Sequence, residues 1–168
     1  MMHDKDPSFW QFHLENAKTA GDRELEAVAL TNLGASYHTA HQYQRAIAKY
    51  RQAIAIFQEL ADRDREIWAL TQLGNAYDCL HEYARAVIIY RRAISIADIE
   101  GTLVPPDLLY SLGQTYRSMG RYDEAIALCE EAIGVLRERG STVELAEAIG
   151  MLNDLRYEYN ASKDVVTT

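Results

Sequence analysis

Apolar residues recur at intervals of three, four and seven along most of the chain. Leu30, Leu33, Gly34 and Tyr37 mark one such stripe. Ala46, Ile47, Tyr50, Ala53, Ile54 and Phe57 mark the next. This spacing places one apolar face on each of two successive helices. No run of Val, Thr or Ile alternates with polar residues in the way a half-buried strand requires. The only prolines are Pro7, Pro105 and Pro106, and the glycines stand singly near the expected helix ends. The pattern predicts an all-α chain.

The two-helix pattern is repeated three times. LTNLGASYHTAHQYQRAIAKYRQAIAIF begins at Leu30, LTQLGNAYDCLHEYARAVIIYRRAISIA at Leu70, and LYSLGQTYRSMGRYDEAIALCEEAIGVL at Leu109. Leu33-Gly34, Leu73-Gly74 and Leu112-Gly113 coincide in register, as do Tyr37, Tyr77 and Tyr116. Tyr43, Tyr83 and Tyr122 follow, then Ala46, Ala86 and Ala125. The series closes on Tyr50, Tyr90 and Cys129, then Ala53, Ala93 and Ala132. Each copy reads as a helical hairpin in which Gly34 and Ala46 let two backbones approach and tyrosines fill the remaining space. One hairpin cannot bury its own stripe, whereas a stack of them buries a continuous core.

These landmarks resemble the tetratricopeptide repeat family. They are the Leu-Gly pair, the tyrosine three residues after the glycine, the alanine early in the second helix, the following aromatic and the second alanine. The resemblance covers roughly residues 24–140 directly. It implies a right-handed superhelical solenoid of antiparallel helical hairpins. The usual period is roughly 34 residues, and here the copies lie about 40 apart, with the second helix expected to run on by a turn or more. Such repeats are similar to those of kinesin light chains, G-protein-regulator scaffolds and several bacterial regulators. His41 and His81 stand where the third copy has Gly120, so a differently built turn is expected in the first two.

The expected organisation is a single domain over 1–168. An N-terminal half repeat spans 7–22, with Asp6 as N-cap and Pro7 as first helical residue. It is expected to pack Phe9, Trp10, Phe12 and Leu14 on the first full repeat. Repeats follow at 23–62, 63–102 and 103–140. A capping helix occupies 141–159, opened by a capping box from Ser141 to Glu144, with Ile149 and Leu152 at core positions. Residues 160–168 lack periodicity and are expected to fray.

In this family the first helix of each hairpin lines the concave face. Carried over residue by residue, the peptide-binding positions are Asn32, Ala35, His38 and Thr39, then Gln72, Asn75, Asp78 and Cys79, then Ser111, Gln114, Arg117 and Ser118. Trp68 and Tyr110 are expected at the rim. The row is mostly neutral. Its amides can both donate and accept hydrogen bonds, which suits gripping a peptide backbone. A clamp for a terminal carboxylate would need basic residues where Thr31, Ala35 and Ser111 stand, so that mode is disfavoured. Ile88 and Ile89 replace Ala48 and Lys49 of the first repeat and form a candidate self-association patch.

Charge narrows the partners. The net charge is -8, which disfavours nucleic acid and anionic membranes. Cys79 and Cys129 make neither a disulfide framework nor a metal-type spacing, as expected of a reducing cytoplasm. The opening MMHDKDPSFW has no basic stretch leading into an apolar one, and no apolar run is long enough to span a bilayer. His41 and His81 are equivalent turn residues of different repeats, expected roughly 10 Å apart or more, too far for one ion. No phosphate loop or nucleophile elbow is present. The chain is therefore expected to be a protein-binding module with no cofactor, no metal and no catalytic residue. The alternatives are a self-assembling scaffold and a peptide-sensing domain of a larger bacterial regulator.

Overall fold

The computed structural model describes residues 6–166, and among them every regular element is helical. Eight helices follow in order: α1 Pro7–Ala20, α2 Arg23–Thr39, α3 Tyr43–Glu59, α4 Arg63–Cys79, α5 Tyr83–Glu100, α6 Pro106–Ser118, α7 Tyr122–Arg139 and α8 Thr142–Val166. The chain divides into two compact units after Ala97, within the last turn of α5. In the first unit α1 packs on α2, α2 on α3, and α3 on α4. In the second, α7 packs against both α6 and α8.

In the third hairpin the extra residues fall to the second helix, as expected, with 13 residues in α6 and 18 in α7, whereas in the first two hairpins both helices share them. α2, α3 and α4 each have 17 residues. Three-residue connections join them, and one stop signal recurs. The amide of Gln42 donates to the Tyr37 carbonyl at 2.8 Å, Asp62 to Phe57 at 2.9 Å, Glu82 to Tyr77 at 3.0 Å and Arg121 to Tyr116 at 2.8 Å. Each bond closes a Schellman turn around one left-handed residue. That residue is His41, Ala61, His81 or Gly120, with φ of 58°, 55°, 59° and 72°. The turns at His41 and His81 are thus built like the one at Gly120, contrary to expectation. Each histidine ring is bonded to the tyrosine two residues on, His41 Nδ1 to the Tyr43 hydroxyl at 2.8 Å and His81 Nδ1 to the Tyr83 hydroxyl at 2.7 Å. Those bonds help offset the left-handed backbone. Asp62 closes the α3 stop and also caps α4, accepting from the Arg65 amide. Asp22 does the same between α1 and α2. One aspartate therefore ends one helix and starts the next, which keeps the connection short.

The repeat glycines leave space that tyrosines fill, as expected, in the first two hairpins. A Cβ added at Gly34 would lie 2.7 Å from Tyr50 Cε1, and one at Gly74 would lie 2.7 Å from Tyr90 Cδ1. The missing side chains make room for tyrosine rings of the second helix, and both rings are fully buried. In the third hairpin Cys129 replaces the tyrosine. A Cβ at Gly113 would meet only Ala125 O at 3.7 Å and Leu128 Cβ at 3.9 Å, which is ordinary contact.

A buried carboxylate ties three helices of the first unit. Glu66 is 1% exposed. It accepts from Arg63 on its own helix at 2.8 Å, Gln58 on α3 at 2.5 Å and Arg92 on α5 at 3.2 Å. A charge so enclosed is tolerated because several donors surround it.

The flanks hold further differences. Asp6 caps α1 through the Ser8 amide, with Pro7 at the first position, as expected. Leu14 and Ala17 are buried, but Phe12 is 64% exposed and does not join the core. In α8 the buried stripe is Ala148, Met151, Leu152 and Leu155, while Ile149 turns outward. The helix continues to Val166, past the expected fraying at 160. Tyr159 lies 6.2 Å from Tyr122 of α7, and Lys163 sits 4.0 Å above the Tyr159 ring, which hold this last stretch in place. Residues 167–168 of the expected tail lie outside the described residues.

Two stability predictions follow from the backbone. Gly74→Ala should destabilise by about 1–3 kcal/mol through overpacking, whereas Gly113→Ala should stabilise by roughly 0.5–1 kcal/mol through helix propensity. Urea unfolding distinguishes them; equal losses at both sites would mean that the tyrosine ring is not the constraint. Ala61→Gly relieves a left-handed alanine costing about 1–2 kcal/mol, less the unfolded-chain entropy that glycine adds. A higher thermal midpoint is expected, and a lower one would contradict the assignment.

Candidate functional site

The expected binding positions lie on the first helices of the hairpins, α2 and α4 in one unit and α6 in the other. Asn32, Ala35, Gln72 and Asn75 are half-buried, and Thr39 and Cys79 are exposed. On α6, Ser111, Gln114 and Arg117 are half-buried and Ser118 is exposed.

The polar groups are less free than a bare row of amides. Asn32 donates from Nδ2 to the Val28 carbonyl one turn back, at 2.9 Å. The side-chain oxygen of Asn75 accepts from the buried Tyr90 hydroxyl at 2.7 Å, so Asn75 also has a structural duty. Thr39 bonds its own helix at the Ala35 carbonyl. Gln114 donates to the Met151 thioether of α8, and Arg117 is bonded to Glu158 through both Nε and Nη2. The α6 row is therefore tied to α8. Arg117 is already neutralised, which removes the one basic residue of the row from duty as an anion clamp.

Between α2 and α4 opens a cavity of about 250 Å³, lined by Val28, Thr31, Asn32, Phe57, Asp64, Arg65 and Trp68. Phe57 is buried at its floor, and the Trp68 indole is 44% exposed at its wall. Arg65 reaches from α4 to Glu24 of α2 at 2.7 Å and borders the opening. Trp68 and Tyr110 occupy the exposed rim positions expected of them, Tyr110 at 47% exposure.

One juxtaposition was not anticipated. Cys79 Sγ of α4 lies 3.7 Å from His38 Nε2 of α2. The His38 ring also meets the Tyr43 ring edge-on at 5.2 Å. Burial holds His38 below its usual 6.5, helped by neighbouring His41 and opposed by a bond to the Asn75 backbone. Burial pushes the Cys79 thiol up, with Asp78 adding to the rise and a Tyr43 hydrogen bond opposing it. A neutral imidazole beside a protonated thiol is a hydrogen-bonded contact, not an activated thiolate–imidazolium pair. The repeat register carried the signal, since His38 and Cys79 fall four and five residues after their respective glycines. Cys129 is buried, and its thiol is pushed up to about 11.

Ile88 is 67% exposed on α5, while Ile89 is half-buried. Only Ile88 offers its whole side chain outward. No group of three or more His, Cys, Asp or Glu with metal-binding geometry occurs among the described residues. No helix among them is long and apolar enough to cross a membrane.

Helical hairpins packed in series, with exposed first-helix faces and no strands among the described residues, define a helical-repeat solenoid. Tetratricopeptide repeat models match residues 25–98 and 106–136, and the chain belongs to the tetratricopeptide repeat family. No curated protein matches it. Solved structures share the fold at low identity. BtubC (BKLC) from P. vanneervenii superposes with a TM-score of 0.82 at 17% identity, over 95% of this chain and 67% of that one. Aspartyl phosphate phosphatase F from Bacillus subtilis gives 0.81 at 22% identity, over 94% of this chain and 42% of that one. The apo form of RapI gives 0.81 at 13% identity, over 96% and 45%. The chain thus spans about two thirds of the first protein and less than half of the other two. The repeats make it a protein–protein interaction module.

The lowered His38 pKa has a definite sign. The folded state disfavours the charged imidazole that the unfolded chain carries below about 6.5, so this contribution to stability is present above 6.5 and fades as pH falls. Urea midpoints at pH 7.5 and 5.5 should drop more for the native chain than for His38→Gln. An equal drop would show that His38 is not the titrating group.

Proposed function

We propose that this chain holds a peptide segment of a partner protein along the first-helix face of α2 and α4. The observation that carries the reading is the Trp68 cavity. An exposed indole, the buried Phe57 and the half-buried amides of Asn32 and Gln72 adjoin one opening of about 250 Å³ or stand beside it. An apolar recess flanked by amides suits an extended segment, with one side chain seated and the backbone bonded beside it. Binding is the reading favoured over catalysis, because the shifts of His38 and Cys79 run away from an activated thiolate–imidazolium pair. The reading places the protein among soluble interaction modules of the cytoplasm that need no cofactor. The Ser111, Gln114, Arg117 and Ser118 face of α6 is a second contact region, less suited to backbone gripping because Gln114 and Arg117 are already engaged.

Trp68→Ala combined with Gln72→Ala tests this, since neither side chain is buried. Asn75→Ala would confuse the result by removing the acceptor of the Tyr90 hydroxyl. Affinity capture should return a partner with the native chain. Loss of one aromatic anchor weakens binding by roughly 1–3 kcal/mol, about tenfold to a hundredfold. Unchanged capture by the double variant, with helicity intact by circular dichroism, would place the contact elsewhere.

A further inference from the structure

The second unit carries a recess larger than the Trp68 cavity, lined by Tyr110 of the expected rim but by none of the expected peptide-binding positions. It measures about 360 Å³ and lies between the start of α6 and the first half of α8, over the end of α7. Its apolar lining is Pro106, Tyr110, Ala132, Leu136, Ala148 and Met151. Leu136, Ala132 and Ala148 are buried, and Tyr110 stands exposed at the wall. Leu136 is the register equivalent of Phe57 and Tyr110 that of Thr31, so this opening repeats the Trp68 cavity two hairpins on. The chemistry at the rim has changed. Asp107, Glu144 and Glu147 surround the opening, with Arg139 as its one cation. All four are exposed. Asp107 and Glu144 lie in the first turns of α6 and α8, where a carboxylate favours the helix end. Glu147 lies beyond the first turn and has no such role. It stands at the register position that Trp68 occupies on α4.

We propose that this recess receives a bulky apolar side chain of a partner segment that carries lysine or arginine beside it. The volume suits one large side chain rather than a whole helix. Three carboxylates against one guanidinium select a cationic flank. The same charge argues against a second copy of this chain, which carries a net charge of -8 and would bring acid to acid. The inference rests on the reading that first-helix faces hold partner segments, but it concerns a different recess, so the two can fail separately.

The probes are three end-blocked six-residue peptides, titrated into the full chain and followed by methyl NMR of the methionine, alanine, leucine and valine side chains. One has leucine flanked by lysines, one leucine flanked by glutamates, and one alanine flanked by lysines. The lysine–leucine peptide should bind at least tenfold more tightly than either control and shift the Met151 methyl. Tyr110→Ala should weaken it, and Glu144→Lys with Glu147→Lys should invert the preference toward the glutamate peptide. Equal binding of all three peptides would overturn the proposal. So would shifts confined to the α2–α4 face, a result that leaves the Trp68 reading standing. A concentration-dependent dimer abolished by Tyr110→Ala would assign the recess to a second copy and also overturn it. If no peptide binds at millimolar concentration, the proposal falls, whatever partner the α2–α4 face captures.

Discussion

In the first two hairpins a tyrosine ring from the second helix occupies the space where the first helix has no side chain. Tyr50 fills the site over Gly34 and Tyr90 the site over Gly74, at distances that leave no room for a Cβ. Much else in the first unit follows from this contact. It sets how near the two helices lie, and so how far α2 and α4 stand from each other across α3. The Tyr90 hydroxyl then reaches the outer row and fixes the Asn75 side chain. A core contact thereby orients a residue of the candidate binding face. In the third hairpin Cys129 takes the place of the ring, and the glycine is no longer required by sterics.

The stop signals are the second constraint. Schellman turns end α2, α3, α4 and α6 alike, although the left-handed residue is glycine in one and alanine or histidine in the others. Glycine is favoured at such a site because it has no Cβ to clash. The exceptions survive because the flanking helices fix the geometry and, at His41 and His81, because the ring finds a tyrosine hydroxyl. In the first unit these three-residue connections keep α2, α3 and α4 at one spacing along the chain.

That regularity explains which features were legible. The six landmarks of each repeat located α2 through α7 and the core tyrosines, because apolar spacing reports directly on which face is buried. The Asp6–Pro7 start of α1 was legible from capping chemistry. That tyrosines fill the space left by the small residues was legible too, but which ring sits over which glycine was not, because the pairing joins two helices. In α8 Leu152 is buried as expected, but Ile149 is exposed and Ala148 is buried beside it, because a terminal helix packs on one side only and its pattern is weak. The extension of α8 to Val166 goes with Tyr122 of α7 meeting Tyr159, a contact that no local pattern encodes. At the candidate site the positions were legible and their engagements were not. Arg117 and Gln114 are occupied by α8 residues about 40 positions away, and the recess at Tyr110 is lined from three helices, α6, α7 and α8, that no single repeat pattern joins.

The central claim is that the first-helix face, not the outer face of the second helices, meets the partner. A photo-crosslinking amino acid placed at position 72 on α4, and separately at the exposed position 55 on α3, tests it most directly. Capture of a partner polypeptide from position 72, with little or none from position 55, is the result the account predicts. Cross-linking from position 55 and none from position 72 would contradict it.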